Sequence, residues 1–335
     1  MDRLITLAHG NGGRLMRELI DELIVPRLGD LLLDSHADAV ALDTIAADKK
    51  LVVTTDGYTV QPLEFPGGNI GSLAVHGTVN DLAVTGATPH YLCLNMILEE
   101  GLKRTVMERV IDAFADAARQ CNVKIAAGDT KVVPKGEGSG LYLATTGIGS
   151  KNSSIDFCAS NIRNGDAILV SGSIGDHGTA VMLARQSFGL SGEILSDSAS
   201  VLPLCNTLLS INGLRFMRDP TRGGLATVLH ELQSLSGLGI LIDETVIPIR
   251  DPVKGVCEIL GYDPLYLACE GRVVAVVAAD QAELVLARWK AINSGLNARI
   301  IGHFRAQPKQ VVLKTSIGGE RVLFELEDDP LPRIC

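Results

Sequence analysis

The chain is predicted to fold as two α/β domains, on three observations. Its 335 residues exceed what a single hydrophobic core usually serves. Strand-like and helix-like stretches alternate in two series, separated by a polar stretch over 149–164. The composition is 46% hydrophobic but only 4% aromatic, with 35 glycines. The cores are therefore built from small aliphatic side chains, joined by many tight turns.

The first series opens with His9-Gly10-Asn11-Gly12-Gly13, ahead of a helical spacing at Leu15, Leu19, Leu23 and Ile24. A glycine-rich turn at a helix start can present backbone N–H groups to an anion; His9 is equally a structural or a functional residue. Ala37 to Asp43 alternates like a strand, with Asp38 near its start. Leu51 to Gly57 reads as a buried strand ending in Asp56. An acid in that place serves either as a metal or phosphate contact or as the cap of an Asx turn. Pro66 to Ile70 opens a helix of small residues running to Ala87, in which Asp81, beside Asn80, is the single acid. A carboxylate on so apolar a helix must be paired, hydrogen-bonded or bound to a cation. A strand over 89–98 and an amphipathic helix over 102–120 follow. The strand Val123 to Val133 carries Asp129, Thr130 and Lys131, an acid, a hydroxyl and an ammonium that suit a nucleotide phosphate with its metal. Its glycine spacing is not that of a P-loop. Leu141 to Ile148 closes the first domain.

The second series begins with the strand Ala167 to Gly172, and Ile174 to Gly178 leads into a helix. Arg218-Asp219-Pro220-Thr221-Arg222-Gly223-Gly224 then sets an acid, a hydroxyl, an Arg and two glycines before the helix 225–236, at an N-terminus where anions are stabilised. Cys269-Glu270-Gly271-Arg272 precedes the strand 273–278. A helix over 281–292 and short strands near 298–303, 310–314 and 321–326 complete the series. Asp38, Asp56, Asp81 and Asp219 stand out as possible metal ligands. With Lys131 and Arg222 they suit ATP with Mg²⁺ at a domain junction.

The net charge is −9 and no basic block of five residues occurs, which argues against nucleic acid as the main partner. No apolar run reaches the length of a membrane span, and the apolar part of the N-terminus is too short for a signal peptide, so a cytoplasmic location is expected. The seven cysteines are odd in number and form no C-x-x-C pair, against a disulfide framework or a zinc site. Cys93 and Cys121 read as core fillers. Cys335 differs. The acids Glu327, Asp328 and Asp329 and the prolines 330 and 332 keep 327–335 out of helix and sheet interiors, and such a segment reaches roughly 30 Å when extended. Nothing follows Cys335 to pack it; it is either a frayed end or a reactive arm.

Asp56-Gly57, Pro66 to Gly71, Asn80-Asp81, Gly128 to Val133, Ser171 to Gly178, Asp219 to Gly224 and the closing Pro332-Arg333-Ile334-Cys335 resemble the HypE family of hydrogenase maturation proteins, the carbamoyl dehydratases. The resemblance runs from residue 4 to residue 335. The internal motifs are shared with the wider aminoimidazole ribonucleotide synthetase superfamily, and the closing tetrapeptide selects HypE. The resemblance implies that superfamily's fold: an N-terminal glycine-rich arm and helix (1–35), an ATP-binding domain (36–150) that forms a homodimer through its sheet, a C-terminal α/β domain (160–326) and a mobile tail (327–335). It also implies that Cys335 receives a carbamoyl group from a partner carbamoyltransferase. ATP with Mg²⁺ then drives removal of water, leaving a thiocyanate. That cyanide passes to the iron of [NiFe]-hydrogenase, held by the small hydrogenase chaperone and an iron–sulfur scaffold protein.

A thiocarbamate oxygen is a poor leaving group; phosphorylation makes it a good one, and a base takes an N–H proton as phosphate departs. On this pattern Asp38, Asp56, Asp81 and Asp219 match metal and phosphate positions. The nucleotide contacts would be Gly10, Asn11, Gly12, Gly13, Asp56, Asn80, Asp81, Asp129, Thr130, Lys131, Asp219, Thr221, Arg222, Gly223 and Gly224. Lys131 and Glu270 are candidates near the thiocarbamate, Glu270 as base or else as a salt-bridging carboxylate, with His90 and His177 as alternatives for proton transfer. Gly57 stands where many relatives have a hydroxyl residue and Arg272 where Lys is common, which changes hydrogen bonding and charge geometry without changing the reaction class. Two other readings keep the fold: a synthetase acting on a free amide or on selenide, and a non-catalytic nucleotide-binding partner whose tail only docks. Selenide enzymes carry a reactive Cys near the N-terminus, and none here precedes Cys93.

Overall fold

The computed structural model describes residues 4–10, 14–28, 46–185, 193–326 and 334–335. The expected strand over 37–43, with Asp38, and the turn residues Asn11, Gly12 and Gly13 lie outside the described residues. So does 327–333 of the tail. The chain divides into two compact units: residues 1–82, 87–153 and 335 in one, residues 83–86 and 154–334 in the other.

The first unit begins with helices α1 (Arg14–Leu19) and α2 (Val25–Leu28), joined by a π-helical stretch Ile20–Ile24. Strand β1 (Lys49–Tyr58), a small hairpin of β2 (Glu64–Phe65) and β3 (Gly68–Asn69), and helix α3 (Ile70–Val84) follow. Then come β4 (Thr88–Glu99), α4 (Arg104–Gln120), β5 (Lys124–Val133) and β6 (Leu141–Asn152). The four long strands form one sheet in the order β1-β6-β4-β5. The 4-5 pair is parallel and the others antiparallel. Helix α4 buries Met107, Val110, Ile111, Phe114 and Ala118, the spacing of one apolar stripe. Helix α3 is nearly charge-free because it has little exposed face. It lies so close to α4 that a Cβ on Gly71 would stand 2.1 Å from the Val110 carbonyl oxygen. Its other side meets the sheet, where Thr78 bonds the hydroxyls of Tyr58 and Thr145.

On the opposite face of this sheet several side chains are exposed among the described residues. Cross-strand register places Val53, Ile148 and Tyr91 in one row and Thr55, Thr146 and Cys93 in the next. Leu51 and Val53 are 58% and 57% exposed. Cys93, expected in the core, belongs to this open face and is only half-buried, because side chains alternate along a strand. Cys121 is buried as expected. The 149–164 linker is shorter than its polarity suggests. β6 continues to Asn152, since ladder bonds to Lys49–Val52 need backbone partners, not apolar side chains.

The second unit runs β7 (Ala167–Val170), α5 (Asp176–Arg185), α6 (Leu202–Asn206), β8 (Leu214–Arg218), α7 (Gly224–Ser236), β9 (Gly239–Asp243) and α8 (Asp251–Leu260). It ends with β10 (Val274–Val277), α9 (Ala282–Lys290), β11 (Arg299–Arg305), β12 (Val311–Lys314) and β13 (Glu320–Val322). The last strand is shorter than the 321–326 expected. The seven strands order as β13-β12-β9-β11-β7-β10-β8, antiparallel except for β9 with β12. Helices cover both faces. Ile168, Val170, Val274 and Val276 share one core with Leu225 and Leu229 of α7. Leu169, Ala275 and Val277 share the other with Leu204 of α6 and Trp289 of α9. Strands buried on both sides must be continuously apolar, which is why β7 and β10 read AILV and VAVV.

Burial of His76, on α3, lowers its pKa from 6.5 to about 4. The folded chain then resists a proton that the unfolded chain accepts. Stability is fully present above about pH 6.5 and falls as pH drops toward 4, by up to about 3 kcal/mol from this group. His177, whose pKa burial also lowers, acts with the same sign. Urea unfolding between pH 7 and pH 4.5 is expected to show this slope, and His76→Gln is expected to flatten it in part.

Candidate active site

In the first unit, β1 turns Thr54 and Asp56 to the helix-covered side of the sheet, and the Thr54 hydroxyl donates to Asp81 Oδ2 at 2.8 Å. Asp56 Oδ1 accepts the Gly57 N–H at 2.8 Å, a local turn that fixes the carboxylate. Asn80 is buried beside Asp81. A Cβ on Gly57 would meet nothing within 4 Å, so a small hydroxyl side chain would fit there. Asp129 and Lys131 are placed elsewhere. They pair by register with Asn95 and Ile97 of β4, on the open face, and form an exposed ion pair of 3.0 Å with each other. Asp56 is on the opposite face and three strands away, roughly 14 Å across the sheet. Within one chain these two groups are not brought together. Thr130 points the other way and is buried.

Cys335 groups with this unit. The backbone N–H and the hydroxyl of Thr59 both donate to its main-chain carboxylate oxygen, at 3.1 and 3.2 Å. The sequence suggested that nothing holds this residue; the bonds from Thr59 do. Thr59 lies three residues beyond Asp56 on the same chain segment.

In the second unit, Asp219 is buried at the end of β8. The Pro220 carbonyl accepts the Cys269 N–H at 3.0 Å, so the Asp219 turn lies beside the Cys269-Glu270 segment. Gly224 has φ +61°, and a Cβ there would stand 2.5 Å from the Leu267 carbonyl oxygen. Helix α7 therefore starts tight against residues 265–267. Thr221 is half-buried and Arg222 exposed.

Glu270 is buried, and its backbone is held twice: its N–H donates to Asp197 Oδ1 at 3.1 Å, and its carbonyl accepts from Ala199 N–H at 3.3 Å. Arg272 fixes that support. Its Nε lies 3.4 Å from Asp197 Oδ2 and donates to the Ser173 carbonyl at 2.8 Å, and its Nη2 is 3.8 Å from Asp176 Oδ2. Asp176 also accepts from the Ser173 hydroxyl at 2.6 Å and from Arg250. Two guanidinium groups thus balance two buried carboxylates, the condition for keeping such charges inside. Asp197, Ser196 and Arg250 carried no sequence signal: the first two stand in a polar run, and Arg250 follows an apolar stretch far away in the chain.

His177 is buried, with Nδ1 2.8 Å from Ser196 Oγ and Nε2 2.9 Å from the Ile334 carbonyl oxygen. Ile334 is itself buried. His90, on the first unit, has Nε2 2.7 Å from Ser150 Oγ.

Among the described residues no group of three or more His, Cys, Asp and Glu side chains stands ready to hold a metal ion. Mg²⁺ does not require one: it takes one or two carboxylates, with water and substrate phosphates completing the shell. The hard oxygens of Asp56 and Asp81 fit that chemistry.

Residues 36–150 match the N-terminal domain of AIR synthase related proteins, and residues 163–314 match their C-terminal domain. A carbamoyl dehydratase HypE from Bradyrhizobium diazoefficiens is 45% identical over 99% of this chain and 96% of its own. A solved structure of the hydrogenase maturation protein HypE in complex with ATP superposes with a TM-score of 0.92 at 42% identity, covering 98% of this chain and 99% of that one. A HypE–HypF complex contains a chain that is 40% identical, with a TM-score of 0.81, over 92% of this chain and 99% of that one.

Proposed function

This chain belongs to the HypE carbamoyl dehydratases of the AIR synthase related family, and from that premise we propose that the acceptor it acts on is its own Cys335. The enzyme dehydrates an S-carbamoyl group to a thiocyanate with ATP, in the synthesis of the cyanide ligand for [NiFe]-hydrogenase. The carbamoyl oxygen attacks the γ-phosphorus of ATP, releasing ADP, and one N–H proton is lost. The second N–H proton leaves as the C–O bond breaks and phosphate departs. A thiocarbamate and ATP thus become a thiocyanate, ADP and phosphate. The observation that carries the assignment is the position of Cys335, its main-chain carboxylate bonded to Thr59 just beyond Asp56.

The chain's own residues divide the work. Asp56 and Asp81 would hold Mg²⁺, with Asp38 and Asp219 the further candidates; the ion would neutralise phosphate charge. Asn80, Thr130, Thr221, Arg222, the glycines 223 and 224, and the turn Gly10 to Gly13 would contact the nucleotide. Glu270, set rigidly by Asp197, would take the N–H proton. Lys131 and Asp129 lie on the open sheet face, through which we assign the homodimer; its exposed Leu51, Val53 and Ile97 support that role. The domain limits we assign are 1–35, 36–150, 160–326 and 327–335. The carbamoyltransferase partner is supported by the HypE–HypF complex. The small hydrogenase chaperone and the iron–sulfur scaffold protein would receive the cyanide. No helix among the described residues is long and apolar enough to cross a membrane, and we place the reaction in the cytoplasm.

Intact-mass measurement tests the assignment. With the carbamoyltransferase and its donor, the chain is expected to gain one carbamoyl group. Adding ATP should remove one water, and peptide mapping should locate both changes at Cys335. Modification at any other residue would overturn it.

A further inference from the structure

We propose that His177 is a positioning residue that latches the tail, holding the carbonyl of Ile334 so that the residue after it is presented for dehydration, with Ser196 setting the tautomer that makes the latch. The inference rests on Cys335 being the acceptor, but concerns a residue to which that reading gives no role.

A carbonyl oxygen can only accept a hydrogen bond, so the His177 Nε2 that stands 2.9 Å from Ile334 O must carry the proton. Burial keeps this ring neutral by lowering its pKa, against the raising effects of the Ile334 carbonyl and of Asp197. In a neutral imidazole the other nitrogen is then an acceptor, and Ser196 Oγ meets Nδ1 at 2.8 Å as its donor. The Ser196 oxygen in turn accepts the Ser198 N–H at 3.0 Å. A one-way chain of donors results, from Ser198 N–H through Ser196 and His177 to Ile334. Both ring nitrogens are hydrogen-bonded in this arrangement.

The same short segment holds Glu270. Ser196 fixes the latch while its neighbour Asp197 accepts the Glu270 N–H at 3.1 Å and Ala199 donates to the Glu270 carbonyl. A segment of four residues therefore sets the tail's penultimate peptide and the candidate base against one frame. A residue that only filled space would need neither a defined tautomer nor a donor behind it.

Single-turnover dehydration of the carbamoylated full-length chain, followed by intact mass after ATP addition, tests this. His177→Leu is expected to slow conversion to the cyano form about tenfold, the cost of one buried hydrogen bond, with ATP affinity and carbamoylation unchanged. His177→Gln, whose side-chain amide can donate in place of Nε2, is expected to recover most of the rate. Ser196→Ala should fall between, because the tautomer is no longer imposed. Should His177→Leu not fold, the wild-type ring still reports: its ¹⁵N shifts are expected to show a protonated Nε2 and a bare Nδ1, with Nε2 moving when residues 334–335 are deleted. Wild-type dehydration rates in folded His177→Leu and His177→Gln, or ring shifts indifferent to that deletion, would overturn the latch. Absence of any carbamoyl group at Cys335 in the wild-type chain would instead remove the acceptor assignment, while the ring shifts would still report on the latch.

Discussion

Cys335→Ala is expected to bind ATP as the wild type does and to gain neither a carbamoyl nor a cyano group. The thiolate is the attacking atom in carbamoylation and the atom that carries the carbon afterwards. Alanine offers no substitute, so the yield of modified chain should fall by at least about 10³-fold. The bonds from the N–H and hydroxyl of Thr59 go to the main-chain carboxylate oxygen of this residue, not to its sulfur. Those contacts survive the substitution, and the loss should therefore appear in chemistry and not in folding. Thermal unfolding of the variant within a degree or two of the wild type would complete the result. A cyano group formed on Cys335→Ala, at another cysteine, would defeat the assignment. Activity on a free amide after removal of residues 328–335 would point instead to a small-molecule synthetase.

Glu270→Gln is expected to separate the two half-reactions. The variant should accept the carbamoyl group normally, then convert it to thiocyanate about 10²- to 10⁴-fold more slowly, the usual range for loss of a general base. Glutamine keeps the shape and most of the hydrogen-bonding capacity of the side chain but cannot take a proton at neutral pH. The backbone contacts to Asp197 and Ala199 do not depend on the carboxylate. If Glu270 served only as a salt-bridging group, the same substitution would lower the unfolding temperature and leave the dehydration rate near that of the wild type. Measuring the mass change after ATP alongside the melting curve decides between the two.

Much of the fold could be read from residue periodicity. β7 and β10 are continuous aliphatic runs because helices cover both faces of their sheet, and α4 shows a clean apolar stripe because one side faces solvent. Pro203 and Pro252 fall in the first turns of α6 and α8, the start signal of two helices not among those expected above. The strands β8 and β9 are each only five residues long, and β8 is a half-buried edge, so neither shows a readable alternation. The site was legible wherever an unusual residue stood in an apolar setting, as with Asp81 in α3 and Asp219 before the two glycines. It was illegible where function depends on partners distant in sequence. Asp197 supports Glu270 from 73 residues away, and Thr59 reaches Cys335 across 276. The register of the first sheet was equally hidden: the sequence placed Asp129 and Lys131 in one set with Asp56, and alternation across the paired strands sends them to opposite faces.

The strand order of the second sheet has a consequence for biosynthesis. Its centre joins β7, near residue 167, to β11, near residue 303, so the middle of the sheet cannot close until most of the unit has left the ribosome. Pairings so distant along the chain bring a large loop-closure entropy and slow folding. The nascent segment must wait with its aliphatic strands unpaired, and this half of the molecule should depend on chaperone protection during synthesis more than the first, whose neighbouring strands β4 and β5 lie close together in the chain.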